Sequence, residues 1–506
     1  MRRLALAALL IAAPAAAQSD TCRLDQPTGA YTVVGEAGSR VINASGPVVV
    51  LCSGGAELRS DSAVLYEALD EVHLFRQVDF QDPTRALTSD RATYNSGTGR
   101  LYAEGNVVFT DKTRGSTLRG PNLEYFRAMP GRPESQSIAT GRPHLTVVPR
   151  QEGETRREPM EVDADRITST GERLVGAEGN VVIVSNNVNS TAQEAIYQQQ
   201  EEHLELRRSA RVRNPSYELV GEHIESDLEG GRLERVLSRT SARLESDRLQ
   251  VTGPEIRMYF ERDSLQRMVA ARGQSADSTR SVALSSGFRL SGDSLDALMP
   301  GQQLKEVHAV GEAEGLAWDT LPAAPAVRDS STRDSAAVDS VVTAPRGPRV
   351  PPADAAERDL LLADTIIGYF IPDTVARARR QASGDTTRSA DATLDHMDAR
   401  GNARSVYRVR DRNKAPGEKL AINYLMGDRV HLTFRDGEVE NARVFGLKRG
   451  LYLDPSPPGR DSTAADSAAA PARPSTPLAV PGSVSAGAST AFTAPAADRP
   501  RRPLAP

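Results

Sequence analysis

Leu101-Tyr102-Ala103-Glu104-Gly105-Asn106-Val107-Val108-Phe109 contains six residues, Ala103 to Val108, that recur letter for letter as Ala177-Glu178-Gly179-Asn180-Val181-Val182, 74 positions on. In the first copy Leu101, Ala103, Gly105, Val107 and Phe109 alternate with more polar neighbours. Val175, Ala177, Gly179, Val181 and Ile183 do the same in the second. Successive side chains of a β-strand point to opposite faces, so the pattern predicts a strand with one small, apolar face. A unit that repeats at this scale organises a whole fold.

Weaker copies extend outward from these two. Val72, Leu74, Val78 and Phe80 match the first copy at an offset of 29, with Arg76 where Gly105 stands. The positions equivalent to Gly105 are Arg76, Gly141, Gly179, Arg208, Thr240, Gly273 and Gly311, spaced 29 to 38 residues apart. Turn chemistry separates the runs at Asn95-Ser96-Gly97, Ser169-Thr170-Gly171 and Gly230-Gly231. Thr191 to Leu206 is the one stretch whose pattern also suits a helix. Further on, Leu360 to Ile371 reads as a strand pair, and Met397 to Ala403 restores the small-residue strand with Ala399 and Gly401. Ala421 to Gly427, Arg429 to Phe434 and Val439 to Gly446 follow as separate strands. Short strands at near-even spacing predict a sandwich, a jelly roll or a solenoid.

The ends and the composition bound the rest. Arg2 and Arg3, the apolar run Leu4 to Ala13 and the small residues Ala15 to Ala17 predict a cleaved export signal over 1–17. Three β domains are expected, at 18–154, 155–320 and 359–454. A disordered linker is expected at 321–358, and a disordered Pro/Ala-rich tail at 455–506. Net charge is −5 with the two signs interspersed, which gives no footing for nucleic acid. Cys22 and Cys52 are a candidate disulfide if the compartment is oxidising, although two free thiols are also compatible with the sequence.

Two uses of the small face stand side by side. Facing sheets lie about 10 Å apart when side chains fill the gap. Small residues there either let the sheets pack, with glycine at a bulge, or leave an apolar trough. A trough suits acyl chains, because burial gains about 0.8 kcal/mol per methylene.

At this point the residues carry a resemblance. Ser89-Asp90-Arg91-Ala92-Thr93-Tyr94 followed by Leu101 to Asp111 resembles the OstA-like family that includes LptA and the LptD N-terminal domain. Ala399 to Tyr407, Asn423 to Asp428 and Val444 to Gly446 resemble a second variant of the same family. The resemblance implies an elongated antiparallel β-jelly roll, open along one side, that carries lipopolysaccharide through the periplasm. It implies Lpt-type partners docked on terminal strand edges, and head-to-tail homo-oligomers. The candidate lipid-binding trough is Val78, Phe80, Leu101, Ala103, Gly105, Val107, Phe109, Val175, Ala177, Gly179, Val181, Ile183, Ala399 and Gly401. Arg76 and Arg208 are expected to interrupt it. Arg91, Arg166 and Arg173 are candidates for lipid phosphates at its mouth, against a plain role at solvated strand ends.

No catalytic signature emerges. The seven histidines lack ligand spacing, and Asp163-Ala164-Asp165 has Thr168 where a calcium loop needs glycine. The expectation is a non-enzymatic, cofactor-free and metal-free glycolipid carrier of the periplasm, associated with the outer membrane. The alternatives are an envelope scaffold or adhesin with an ordinary core and, third, a polysaccharide-acting parallel β-helix.

Overall fold

The computed structural model describes residues 22–453 except 26–28, 53–54, 149–158, 186, 231, 247–248, 274–278, 286–287, 319–357, 372–392, 410–420 and 436–437. The predicted signal at 1–17, the tail at 455–506 and the linker up to residue 357 lie outside the described residues. Arg358, assigned above to the linker, begins a strand.

The described chain is β almost throughout, with 3-10 turns at Glu67–Leu69 and Pro300–Gln302. Thr191 to Leu206 divides between the strands Val188–Gln198 and His203–Arg213. Among the described residues no helix is long and apolar enough to cross a membrane. Every pairing is antiparallel, which overturns the parallel β-helix alternative. The ladder runs on where domain boundaries were expected: Leu145 pairs with Val162, and Glu306–Trp318 pairs with Arg358–Ile371. The described residues all fall within one compact unit.

Each long strand is folded at its middle. Glu104 pairs with Asn122 and Val107 with Gly120, so the register slips around Gly105 and Asn106. Similar slips occur between Phe75 and Val78, Glu178 and Val181, Arg207 and Ala210, and Arg400 and Ala403. The extra residues turn the strand through left-handed backbone: φ is 76° at Gly105 and 47° at Asn106. All eight repeat positions, Arg76, Gly105, Gly141, Gly179, Arg208, Thr240, Gly273 and Gly311, have positive φ, as does Gly401. The corner is stapled by an acid on the neighbouring strand. Asn106 Nδ2 donates to Asp90 Oδ2 at 2.9 Å, and Asn180 Nδ2 to Asp165 Oδ2 at 2.8 Å.

The fold at the corner brings the two halves of each strand face to face. Phe80 pairs with Leu87 and Tyr94 with Val72. Seven residues of straight strand, from 87 to 94, span about 23 Å, yet the Phe80 and Tyr94 rings are 6.0 Å apart. The Phe109 and Tyr125 rings are 5.0 Å apart, and Phe288 and Phe370 5.3 Å. The result is two limbs, each a sheet of half-strands. They are joined along one side by the corners and flanked on the other by two rows of hairpin turns.

At the N-terminal end Cys22–Asp25 and Tyr31–Val34 both pair with Val41–Cys52. Cys22 lies opposite Cys52 in register, and the two are joined as a disulfide. A closed loop of this length is worth about 3–4 kcal/mol in the chain-entropy account, and here that tether holds a four-residue strand. Reduction is expected to expose the chain before Val41 to protease while the remainder resists. Limited proteolysis with and without dithiothreitol reads this directly, and an unchanged cleavage pattern would deny the tether its role.

Candidate functional site: the rows between the limbs

The inner face is one continuous apolar core. Phe80, Leu101 and Ala103 are fully buried, and Val78, Val107, Phe109, Val175, Ala177, Val181, Ile183 and Ala399 are buried beside them. Three candidates sit elsewhere. Gly105, Gly179 and Gly401 occupy corners, where a Cβ would run into the side chains of Asp90, Asp165 and Asp364. Their smallness serves the backbone turn, and they contribute no trough wall. Arg76 and Arg208 occupy corners too and are exposed, so they do not interrupt the inner rows.

The rows are in contact along the core. The cleft lined by Gly315, Ala317, Leu361, Met397, Leu432 and Phe434 measures about 10 Å³, room for about one water. Ser405 Oγ also lines it, buried and without a hydrogen-bond partner. A larger, open hollow of about 910 Å³ lies outside the corner beside Asp61, Arg76, Asp90 and Arg91. Its lining mixes Phe75 with charged and polar side chains, and it stands apart from the inner rows.

A polar cluster closes the side with the turns. Asp82 Oδ1 accepts backbone N–H bonds from Thr84 and Arg85, each 2.7 Å, within its own turn. Across the gap the Tyr125 hydroxyl donates to Asp82 Oδ2 at 3.3 Å, and Arg127 Nε lies 3.8 Å from the same oxygen. Arg127 also donates to the Tyr94 hydroxyl at 3.0 Å. Burial, reinforced by the Asp82 charge, pushes the Tyr125 phenol well above its ordinary pKa. Nearby, Arg114 bridges to Glu172 at 3.0 Å and to Gln199. None of these residues stood out in the sequence, although Asp82-Pro83-Thr84 has the composition of an Asx turn.

The arginines proposed for lipid phosphates are scattered. Arg91 and Arg166 lie at the corner side, Arg166 with its Nη1 3.8 Å from Glu178, so neither stands at the turn rows. Arg173 is in a turn and is held by Glu134 at 3.3 Å.

On the outer face every histidine meets a carboxylate. Glu205, His223 and Glu225 bring ligand-type atoms within 4.8 Å of one another, which their sequence spacing did not suggest. Arg207 forks Glu205 at 2.7 and 2.8 Å, and Arg239 bonds Glu225, so guanidinium groups already balance both acids. Asp398 is similarly loaded: Arg429 donates to its two oxygens at 2.8 and 2.9 Å, and His431 at 2.9 Å. Burial raises the pKa of Asp398, but the bonds from Arg429 and His431 outweigh it, and the net value is depressed. The same balance depresses Glu205 and Asp227.

A depressed carboxylate stabilises the fold above its unfolded pKa of about 4, and that contribution fades as pH falls through the folded value. Asp398→Asn is therefore expected to melt below the wild type at pH 7, with part of that gap closed at pH 3. Thermal midpoints at the two pH values check this. An equal gap at both refutes the ion-pair account.

Residues 37–131 match the family model described as OstA-like protein. This match supports an OstA/LptA-like assignment. It spans the long strands from Val41–Cys52 to Thr117–Phe126. The OstA-like corner of Gly105 and Asn106 is repeated beyond it at Gly179-Asn180 and Gly401-Asn402, with φ between 47° and 78°. No curated protein matches the chain. The family is one of transport and binding proteins.

Proposed function

We propose that this is a periplasmic lipopolysaccharide-binding and transport protein, associated with the outer membrane, that carries or bridges glycolipid along the inner rows between its limbs. The observation that supports this reading is the unbroken apolar file inside a body with an OstA-like segment. Because the rows touch, acyl chains enter only if the limbs part, and the methylene burial they gain is what offsets the separation. In this reading no residue performs bond chemistry. Lpt-type partners or further copies of the chain add strands at the ends. Tyr31, Val33 and Val34 are exposed at one end, and Phe445, Leu451 and Tyr452 at the other.

One observation favours a second reading, an envelope scaffold: the inner rows are already packed as an ordinary core. Photocrosslinking in cells separates the two. A photoreactive residue at Val107, which is buried, should capture labelled lipopolysaccharide, and one at Val108 on the opposite face should not. Absence of capture from Val107, Val181 and Ala399 alike leaves the scaffold.

A further inference from the structure

We propose that the two rows of turns form the seam along which this body opens, and that Asp82 and Arg127, with Tyr94 and Tyr125, form the latch that keeps it shut. The inference rests on the carrier reading for its purpose, but not for its geometry.

The two long sides differ in what holds them. At the corner side strand after strand passes covalently from one limb to the other, through Glu104 to Val107, Glu178 to Val181, Arg207 to Ala210 and Arg400 to Ala403. At these described corners lateral passage is barred by the chain itself. Positive-φ pairs at these corners make that side a natural hinge. On the other side the limbs meet through side chains: the Phe80, Tyr94, Phe109 and Tyr125 rings, and the polar groups above them.

Those polar groups are arranged to release. Asp82 keeps the backbone N–H groups of Thr84 and Arg85 and the Thr84 hydroxyl, all within its own turn, at 2.7 to 3.0 Å. Its contacts across the seam are longer, 3.3 Å to Tyr125 and 3.8 Å to Arg127. Arg85 is held separately by Asp111 at 2.9 Å. Parting the limbs therefore leaves the Asp82 carboxylate bonded within its turn and exposes the Tyr125 hydroxyl to water, while Arg127 keeps its bond to the Tyr94 hydroxyl on its own limb. Opening returns the carboxylate to water while its turn bonds persist, so what is given up is the pair of long contacts across the seam. The Arg114 bridge to Glu172 and Gln199 is a second cross-limb contact further along the same seam.

The test loosens and locks the latch in the full chain. Arg127→Gln is the loosened form. Asp82→Cys with Arg127→Cys, in a Cys22→Ser, Cys52→Ser background, is the lock, compared oxidised and reduced. The probe is 11-(dansylamino)undecanoic acid, whose fluorescence rises in apolar surroundings. Amide hydrogen exchange of 79–82 and 125–127 is followed in parallel without probe.

Arg127→Gln should take up the probe about fivefold faster, the scale of one loose ion pair across the seam. The oxidised pair should take up almost none and recover on reduction. Equal uptake by oxidised and reduced pairs overturns the seam while leaving the carrier reading intact. If no form binds the probe, the carrier reading falls, and exchange alone decides the latch. Faster exchange at these amides in Arg127→Gln sustains it, and unchanged exchange overturns it.

Discussion

Phe80→Ala is expected to lose about 3–5 kcal/mol of stability, the usual cost of emptying a large buried aromatic site. Phe80 is fully buried and packs on Tyr94 and Tyr125, its ring centroid 6.0 and 6.2 Å from theirs. Both partners come from the opposite limb, so the void opens between layers that have few ways to collapse around it. Phe75, on the same strand before the corner, is 37% exposed and provides the internal control. Phe75→Ala is expected to change stability by no more than about 0.5 kcal/mol. Denaturant titrations of the two variants measure the contrast. Equal losses would mean that the limbs do not face each other as described.

The second large effect is at the corner. Gly105 has a φ of 76°, and its added Cβ would collide with the Asp90 side chain. Gly105→Val should cost about 1–3 kcal/mol for forcing a β-branched residue into left-handed backbone. A further loss of about 1 kcal/mol is expected as the Asn106–Asp90 hydrogen bond is displaced. The reverse change gives the sharper test. Arg76 occupies the equivalent corner with φ at 61° and an exposed side chain. Arg76→Gly should relieve roughly 1 kcal/mol of strain and raise the melting temperature. A drop in melting temperature on that substitution would mean that Arg76 does more than turn the chain.

Much of this fold was legible, and the part that was not has a specific cause. The repeat register was correct: each position aligned with Gly105 is a left-handed corner. What the alignment hid is that the corner residues leave the alternation altogether. In one class of strand the buried positions step by four across the corner, from Ala103 to Val107, Ala177 to Val181 and Ala309 to Ala313. An even step preserves the parity, so these strands read as uninterrupted and their glycines look like trough positions. In the intervening strands the step is three: Ser89 to Ala92, Ala192 to Ala195 and Ala363 to Ile366. An odd step swaps the faces and breaks the pattern. Leu360 to Ile371 therefore has the sequence pattern of two strands, although Arg358–Ile371 is one. Ala421 to Phe434 was divided for the same reason, although Ala421–Arg435 is continuous. The latch residues left no periodic trace, because Asp82 and Arg127 lie in turns and meet only after the limbs close.

One consequence of the corner concerns how such a body changes size. Each hairpin carries its own bend, fastened at Asn106 and Asn180 by an acid on the adjoining chain, so it needs no information from hairpins further away. Duplicating or deleting one such pair lengthens or shortens the body by about 10 Å, two strand spacings, and leaves its cross-section alone. A gene encoding this architecture thus behaves as a ruler graduated in hairpins, able to match the width of whatever gap its product must span.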